Sequence, residues 1–226
     1  KQFVEFNQTC SSEQTIKCGV PQGSILGPLF FILYINDLPN ASKVTETLIF
    51  ADDTSIFYSH SDPKHLESVL NEELKKVDIC MKSNKLSVNI EKTNYIIFKS
   101  NTKTVATNFS LCFGNKLLEQ KKTINFLGVY IDEYLTWKDH ISYISKKISK
   151  SVGIMHRSRF NLSSKTKLSL YYALIYPYIT YCNLAWSSTY VTNLVNRIFY
   201  LQKRTVRIIT NAEFHAHSDP LFTQIG

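Results

Sequence analysis

The sequence predicts an α+β protein, and three observations carry that prediction. The first half alternates short apolar runs with turn residues, the pattern of small hairpins, around one amphipathic helix. From Trp137 onward the apolar residues fall at helical spacing. Charge divides in the same region: residues 1–120 hold 12 Lys/Arg against 13 Asp/Glu, and residues 121–226 hold 14 against 5. The expected organisation is a mixed α/β part over 1–135 and an all-α, basic part over 136–226.

Taken in order, residues 3–6 and 15–19 read as two short strands joined through Cys10-Ser11-Ser12. Pro21-Gln22-Gly23-Ser24 leads into residues 25–38, which are apolar almost all round. That composition predicts a buried helix, capped by Ser24 and ended by Asn36-Asp37-Leu38-Pro39. Residues 47–51 and 54–58 flank Asp52-Asp53, so they form a hairpin about a two-residue acidic step. Asp62-Pro63 supplies an N-cap and a first-turn proline for an amphipathic helix over 63–85, with Leu66, Val69, Leu70, Leu74 and Val77 on one face. A strand over 94–99 follows, then a hairpin of 109–113 and 116–118 about Gly114-Asn115. Residues 124–131 read as one strand with Gly128 inside it.

In the second part, Ile141, Ile144, Ile148, Val152 and Met155 line one helical face, while Lys146, Lys147 and Lys150 point elsewhere. A helix over 165–176 breaks before Pro177, residues 178–186 continue it after a kink, and 193–210 form a last helix. His215 and His217 fall in an expected frayed, exposed tail.

Composition narrows the function classes. With 44% hydrophobic and 19% charged residues, the 226-residue chain can bury a core and is not disordered. Five scattered cysteines, never spaced C-x-x-C, argue against a disulfide framework and a zinc module. The apolar stretches 25–35 and 171–186 are interrupted and shorter than the about 20 residues of a membrane-spanning helix. No secretory signal opens the chain, so the sequons at Asn7, Asn40, Asn108 and Asn161 read as chance. Because the first residue is Lys1, the chain reads as a piece of a longer product. The basic second half also holds both tryptophans, which suits a polyanion as well as it suits a solvated surface.

Asp52-Asp53 has the most chemical potential. Carboxylates at a hairpin tip can hold a divalent ion where substrate phosphates reach it, because Mg²⁺ takes few protein carboxylates and fills its remaining sites with water and phosphate. Alone, such a pair is more often a polar turn. Its company is Gly19-Val20-Pro21-Gln22-Gly23-Ser24-Ile25-Leu26-Gly27-Pro28-Leu29, then Tyr34-Ile35-Asn36-Asp37-Leu38-Pro39, then Phe50-Ala51-Asp52-Asp53-Thr54. Leu86-Ser87-Val88-Asn89-Ile90-Glu91-Lys92-Thr93 and Phe126-Leu127-Gly128-Val129 follow, then Leu135-Thr136-Trp137-Lys138 with His140 and Ile141, residues 176–186 and Leu201-Gln202-Lys203-Arg204. This series, in this order, resembles the reverse transcriptases of non-LTR (LINE-type, jockey-like) retrotransposons over essentially the whole chain.

The resemblance implies a polymerase palm over 1–135, an antiparallel sheet with packed helices, followed by a helical thumb over 136–226. It implies RNA-templated DNA synthesis by two-metal nucleotidyl transfer onto a primer 3′-hydroxyl, with Mg²⁺ or, in its place, Mn²⁺. By the same resemblance Asp52 is a metal ligand and Asp53 its acidic neighbour. Gln22, Gly23, Phe50 and Ala51 lie beside the incoming nucleotide and template, and Lys92 lies near the triphosphate. Phe126, Leu127 and Gly128 form the primer grip, and Lys146, Lys147, Lys150, Lys203, Arg204 and Arg207 contact nucleic acid. Implied partners are an RNA template, a DNA primer, dNTPs and the missing N-terminal part of the same polyprotein, with no membrane. The implied location is intracellular: nuclear for target-primed synthesis and cytoplasmic for the element's RNA complex.

One departure matters. The family places a further aspartate on a palm strand upstream of Pro21-Gln22-Gly23, and nothing before Lys17 matches it. Glu5 lies on a candidate strand without the family's surrounding residues. The fingers are absent as well. The expectation is therefore a fragment truncated inside the palm, unable to extend a primer by itself. The alternatives are a retroelement-derived remnant that binds nucleic acid without catalysis and an enzyme of the group II intron type, which the helical segments after 137 resemble less closely.

Overall fold

The computed structural model describes residues 1–15, 19–20, 23–100, 102, 109–187 and 192–225, with Thr192 described for its backbone only. The chain forms an α+β fold of two compact units. One comprises Lys1–Thr93 with Ala106–Leu118, the other Asn94–Val105 with Glu119–Gly226.

In the first unit, β1 (Glu5–Phe6) and β2 (Thr9–Cys10) make a hairpin. Its turn is Asn7-Gln8, both at positive φ (49° and 63°), and not Cys10-Ser11-Ser12 as expected. Residues 12–14 return only as a single bridge from Gln14 to Gln2. The second expected strand reaches residues 16–18, outside the described residues.

Helix α1 (Gly27–Ile35) starts at Leu26 with no side-chain cap, and Ser24 contributes only its carbonyl, to the Gly27 N–H. The expectation that this helix is buried fails. Ile35 is its one buried residue, while Leu29, Phe30, Ile32 and Leu33 are at least half exposed. A helix apolar all round needs cover on every side, and the described residues of this unit provide it on one.

Strands β3 (Glu46–Phe50) and β4 (Asp53–Phe57) pair antiparallel along their full lengths. Asp62 caps α2 (Pro63–Ser83), its Oδ1 accepting from Lys64 N–H at 3.1 Å. Of the predicted face Leu74 and Val77 are buried and Leu66, Val69 and Leu70 half-buried, and Met81 is buried as well. Two later strands, β6 (Cys112–Phe113) and β7 (Lys116–Leu117), turn at Gly114-Asn115. They are tied to α2 by Asn71, which accepts from Cys112 N–H (2.9 Å) and donates to Ser110 O (3.0 Å).

In the second unit the strand expected over 94–99 is reduced to β5 (Asn94–Tyr95), paired parallel with β8 (Glu119–Gln120). Farther along, Lys99 N–H donates to Glu133 O at 3.1 Å, and the Lys99 ammonium pairs with the Glu133 carboxylate at 3.0 Å. The single strand expected over 124–131 is a hairpin of β9 (Thr123–Phe126) and β10 (Val129–Asp132). Leu127 and Gly128 both take positive φ (47° and 84°), the signature of a type I′ turn. Asn125 Oδ1 secures it by accepting the Gly128 N–H at 3.0 Å.

Helix α3 (Lys138–Arg157) buries Ile141, Ile144, Ile148, Val152 and Met155. With α4 (Ser164–Leu174) and α7 (Thr192–Ile209) it builds the core around Tyr171, Ile175, Trp186, Ile198 and Leu201. The continuation after Pro177 is two short helices, α5 (Tyr176–Thr180) and α6 (Asn183–Trp186), because Cys182 takes φ 51° between them. The tail is not frayed: it forms α8 (Ser218–Ile225), whose Phe222 ring stacks on Phe199 with centroids 6.4 Å apart. His215 and His217 are exposed ahead of it. The contacts thus group residues 119–132 with the helices that follow, whereas the sequence placed them with the mixed part. Hairpin β9–β10 packs on α3, which explains that grouping. No helix among the described residues is long and apolar enough to cross a membrane.

Candidate functional site

Within the first unit, the site is built on the β3–β4 hairpin. The Phe50–Asp53 pair closes it, so the two turn residues are Ala51 and Asp52, and Asp53 already belongs to β4. Ala51 has φ 52° and Asp52 does not share it, the pattern of a type II′ turn. Glycine is usual at that first position, and holding alanine there costs on the order of 1–3 kcal/mol. Asp52 thus sits at the very tip of the hairpin. Phe50, Ala51, Asp52 and Asp53 are all exposed. Among the described residues, neither carboxylate makes an ion pair or a side-chain hydrogen bond.

No cluster of three or more His, Cys, Asp and Glu side chains suited to a metal exists among the described residues. Two adjacent, exposed carboxylates are nevertheless hard oxygen donors of the kind Mg²⁺ accepts in pairs, with water and phosphate completing its shell. Asp52 and Asp53 fit one side of such a site. Gly23 is exposed at φ 88°, a backbone conformation that suits glycine and leaves open space where a side chain would stand. No hydrogen bond or ion pair among the described residues joins it to Asp52 or Asp53. Gln22 lies outside the described residues. Lys92 is exposed on a tight turn, where its N–H donates to Asn89 O (3.2 Å) and the Thr93 hydroxyl donates to the same carbonyl (2.8 Å).

The second unit carries the other residues singled out by sequence. Phe126, Leu127 and Gly128 come together at the β9–β10 tip. The Tyr181 hydroxyl donates to Leu127 O at 2.7 Å, and the same ring lies 3.8 Å from the point where a Gly128 side chain would begin. Lys146, Lys147 and Lys150 are exposed on α3, and Lys147 Nζ stands 5.5 Å from the Tyr143 ring centroid. On α7, Lys203, Arg204 and Arg207 are half-buried. Lys203 lies over the Phe199 ring at 4.3 Å, and Arg207 Nε donates to Ala216 O at 2.8 Å, holding the segment ahead of α8.

Three further polar residues have no role assigned from the sequence, although His140 lies in one of the segments that carry the resemblance. Asp132, buried at the end of β10, accepts from the N–H groups of Tyr134, Thr136 and Trp137 and from the Thr136 hydroxyl, at 2.9–3.1 Å. Burial pushes its carboxyl up, but these four donors outweigh burial and hold it below the usual range. His140 is 2% exposed and burial lowers its pKa. Lys167, fully buried, donates to Arg159 O, Ile208 O and Asn211 Oδ1 (2.6 Å), and burial likewise lowers its pKa. The one available signal was position. His140 and Lys167 occupy apolar helical faces, beside Ile144 and Tyr171 four residues on.

The family described as "Reverse transcriptase (RNA-dependent DNA polymerase)" matches residues 1–131. The chain is 25% identical over 225 residues to the probable RNA-directed DNA polymerase from transposon X-element of Drosophila melanogaster, covering 96% of this chain and 24% of that protein. It is 26% identical over 215 residues to the RNA-directed DNA polymerase from mobile element jockey of the same fly, covering 91% and 23%. A Pol polyprotein from the type-1 retrotransposable element R1 2 of Nasonia vitripennis is 26% identical over 185 residues, covering 74% and 43%. The chain thus spans about a quarter of the length of the first two relatives. No solved structure matches it.

Proposed function

The chain belongs to the reverse transcriptase (RNA-dependent DNA polymerase) family, and we propose that it supplies part of the catalytic palm and the helical thumb of an RNA-directed DNA polymerase from a non-LTR retrotransposon. The observation that carries this reading is the β3–β4 tip, where a strained Ala51 presents two exposed, uncommitted carboxylates, Asp52 and Asp53. The longer polypeptide of which it forms part acts on an RNA template, a DNA primer and dNTPs.

Asp52 and Asp53 are the ligands for Mg²⁺, which when bound supplies charge stabilisation for the primer hydroxyl and the departing pyrophosphate. The remaining chemistry belongs to the chain. Gly23 lets the backbone approach the nucleotide and template closely. Lys92, on its exposed turn, gives a proton to the leaving pyrophosphate oxygen. The rigid Leu127-Gly128 turn, held by Asn125 and Tyr181, supports the primer end, so its contribution is positional. Lys146, Lys147 and Lys150 hold the phosphate backbone without reading its sequence.

The test is templated synthesis by a polypeptide that carries this chain with the preceding part of its reading frame. With Mg²⁺ and an annealed primer, dNTP incorporation should follow the RNA template and stop on chelation. A folded polypeptide that binds the template–primer yet incorporates nothing on RNA overturns the proposal.

A further inference from the structure

A cleft of about 690 Å³ opens within the second unit beside the β9–β10 tip. Leu127 and Gly128 form one side, and Tyr143, Tyr178 and Tyr181 contribute aromatic walls. That volume lies within the range of about 300–1,000 Å³ typical of small-ligand pockets. His140 also lines it. Its Nδ1 accepts the Tyr130 N–H at 3.3 Å, so the neutral ring carries its proton on Nε2. That buried Nε2 has no hydrogen-bond partner among the described residues. A buried donor without an acceptor costs about 1–3 kcal/mol, and the protein itself encloses this atom.

The aromatic walls suit a ligand with a flat face. Its remaining character follows from charge. Residues 121–226 hold 14 Lys/Arg against 5 Asp/Glu, and Lys147 stands over the wall residue Tyr143. An anionic ligand with an aromatic ring suits these features.

We propose that this cleft is a binding site for one unstacked nucleobase of a single strand, with its ring against the tyrosines and its phosphate on Lys147. The proposal rests on the reading that the chain handles nucleic acid and adds a defined place for one base. Stacking on aromatic side chains requires no particular base, so the site is tolerant of sequence.

The experiment uses the full chain and a short single-stranded DNA carrying one 2-aminopurine, whose fluorescence is quenched on stacking. Anisotropy of a dye on the same strand reports overall binding. Thr180 lines the cleft and is exposed, its hydroxyl donating only to Tyr176 O within its own helix. Thr180→Phe therefore fills the cleft with little risk to the core, and circular dichroism checks that it folds. The wild-type chain should quench the probe. In Thr180→Phe the quench should be lost and affinity should fall about fivefold or more. Binding without quenching, or quenching that survives in Thr180→Phe, overturns the cleft proposal and leaves the nucleic-acid reading standing. No binding of the strand at any salt concentration overturns both.

Discussion

Asp132 closes β10 and opens the path into α3, because its two oxygens collect four donors from residues 134–137. Asp132→Asn removes the charge and turns one acceptor into a donor facing N–H groups. It should cost about 2 kcal/mol in urea unfolding followed by circular dichroism. The sign with pH follows from its lowered folded pKa. Its contribution is complete above the ordinary carboxylate value and is lost as pH falls through the folded one, so wild type and variant should converge in acid. His140 behaves differently. Its folded pKa is also lowered, so below the ordinary histidine value the unfolded chain takes up a proton that the folded chain refuses. Stability should decline as pH drops from about 7 to 5, and His140→Asn, which keeps an acceptor for Tyr130, should flatten that decline. Asp52 could be singled out in the sequence because its neighbours form a motif. The burial of Asp132, His140 and Lys167 could not be read there, because burial and partners arise only when distant segments pack.

At the scale of elements, α2 and α3 match their expected course because a single apolar face determines one packing solution. Hairpin β9–β10 was misread as one strand. Leucine seldom takes positive φ, so Leu127-Gly128 lacks the Asn-Gly or Asp-Gly form that announces such a turn. Helix α1 shows the opposite limit, since composition reports an appetite for burial and not whether cover is present. Leu33 is 63% exposed and Phe30 50%. The paired change Phe30→Ser and Leu33→Lys should reduce self-association in sedimentation velocity while unfolding stability stays within about 0.5 kcal/mol for each site. On α3, exposed Lys146, Lys147 and Lys150 are placed to meet phosphates. If about five phosphates are neutralised, log affinity for a template–primer duplex should fall against log salt with a slope of roughly −4 to −5. Replacing all three lysines by Gln should flatten that slope equally for unrelated sequences, and an unchanged slope would remove these residues from the interface.

For the whole molecule, the α+β class and the motif order were legible, whereas the grouping into compact units was not. Residues 119–132 join the helical unit because the β9–β10 hairpin packs on α3, a tertiary preference with no local signature. The same unit holds the basic excess, so the charge boundary near residue 120 tracks the units more closely than the change to helical spacing does. The account as a whole depends on the β3–β4 tip being a metal-holding centre and not an acidic turn. The measurement that decides this is the rate of RNA-templated primer extension by the longer polypeptide with Asp52→Asn, which keeps the side chain's shape and removes its charge. A loss of at least about 10²–10³ in rate, with template–primer affinity unchanged, is the predicted result. A rate within a few-fold of the parent would contradict the account and leave Asp52 as a turn residue only.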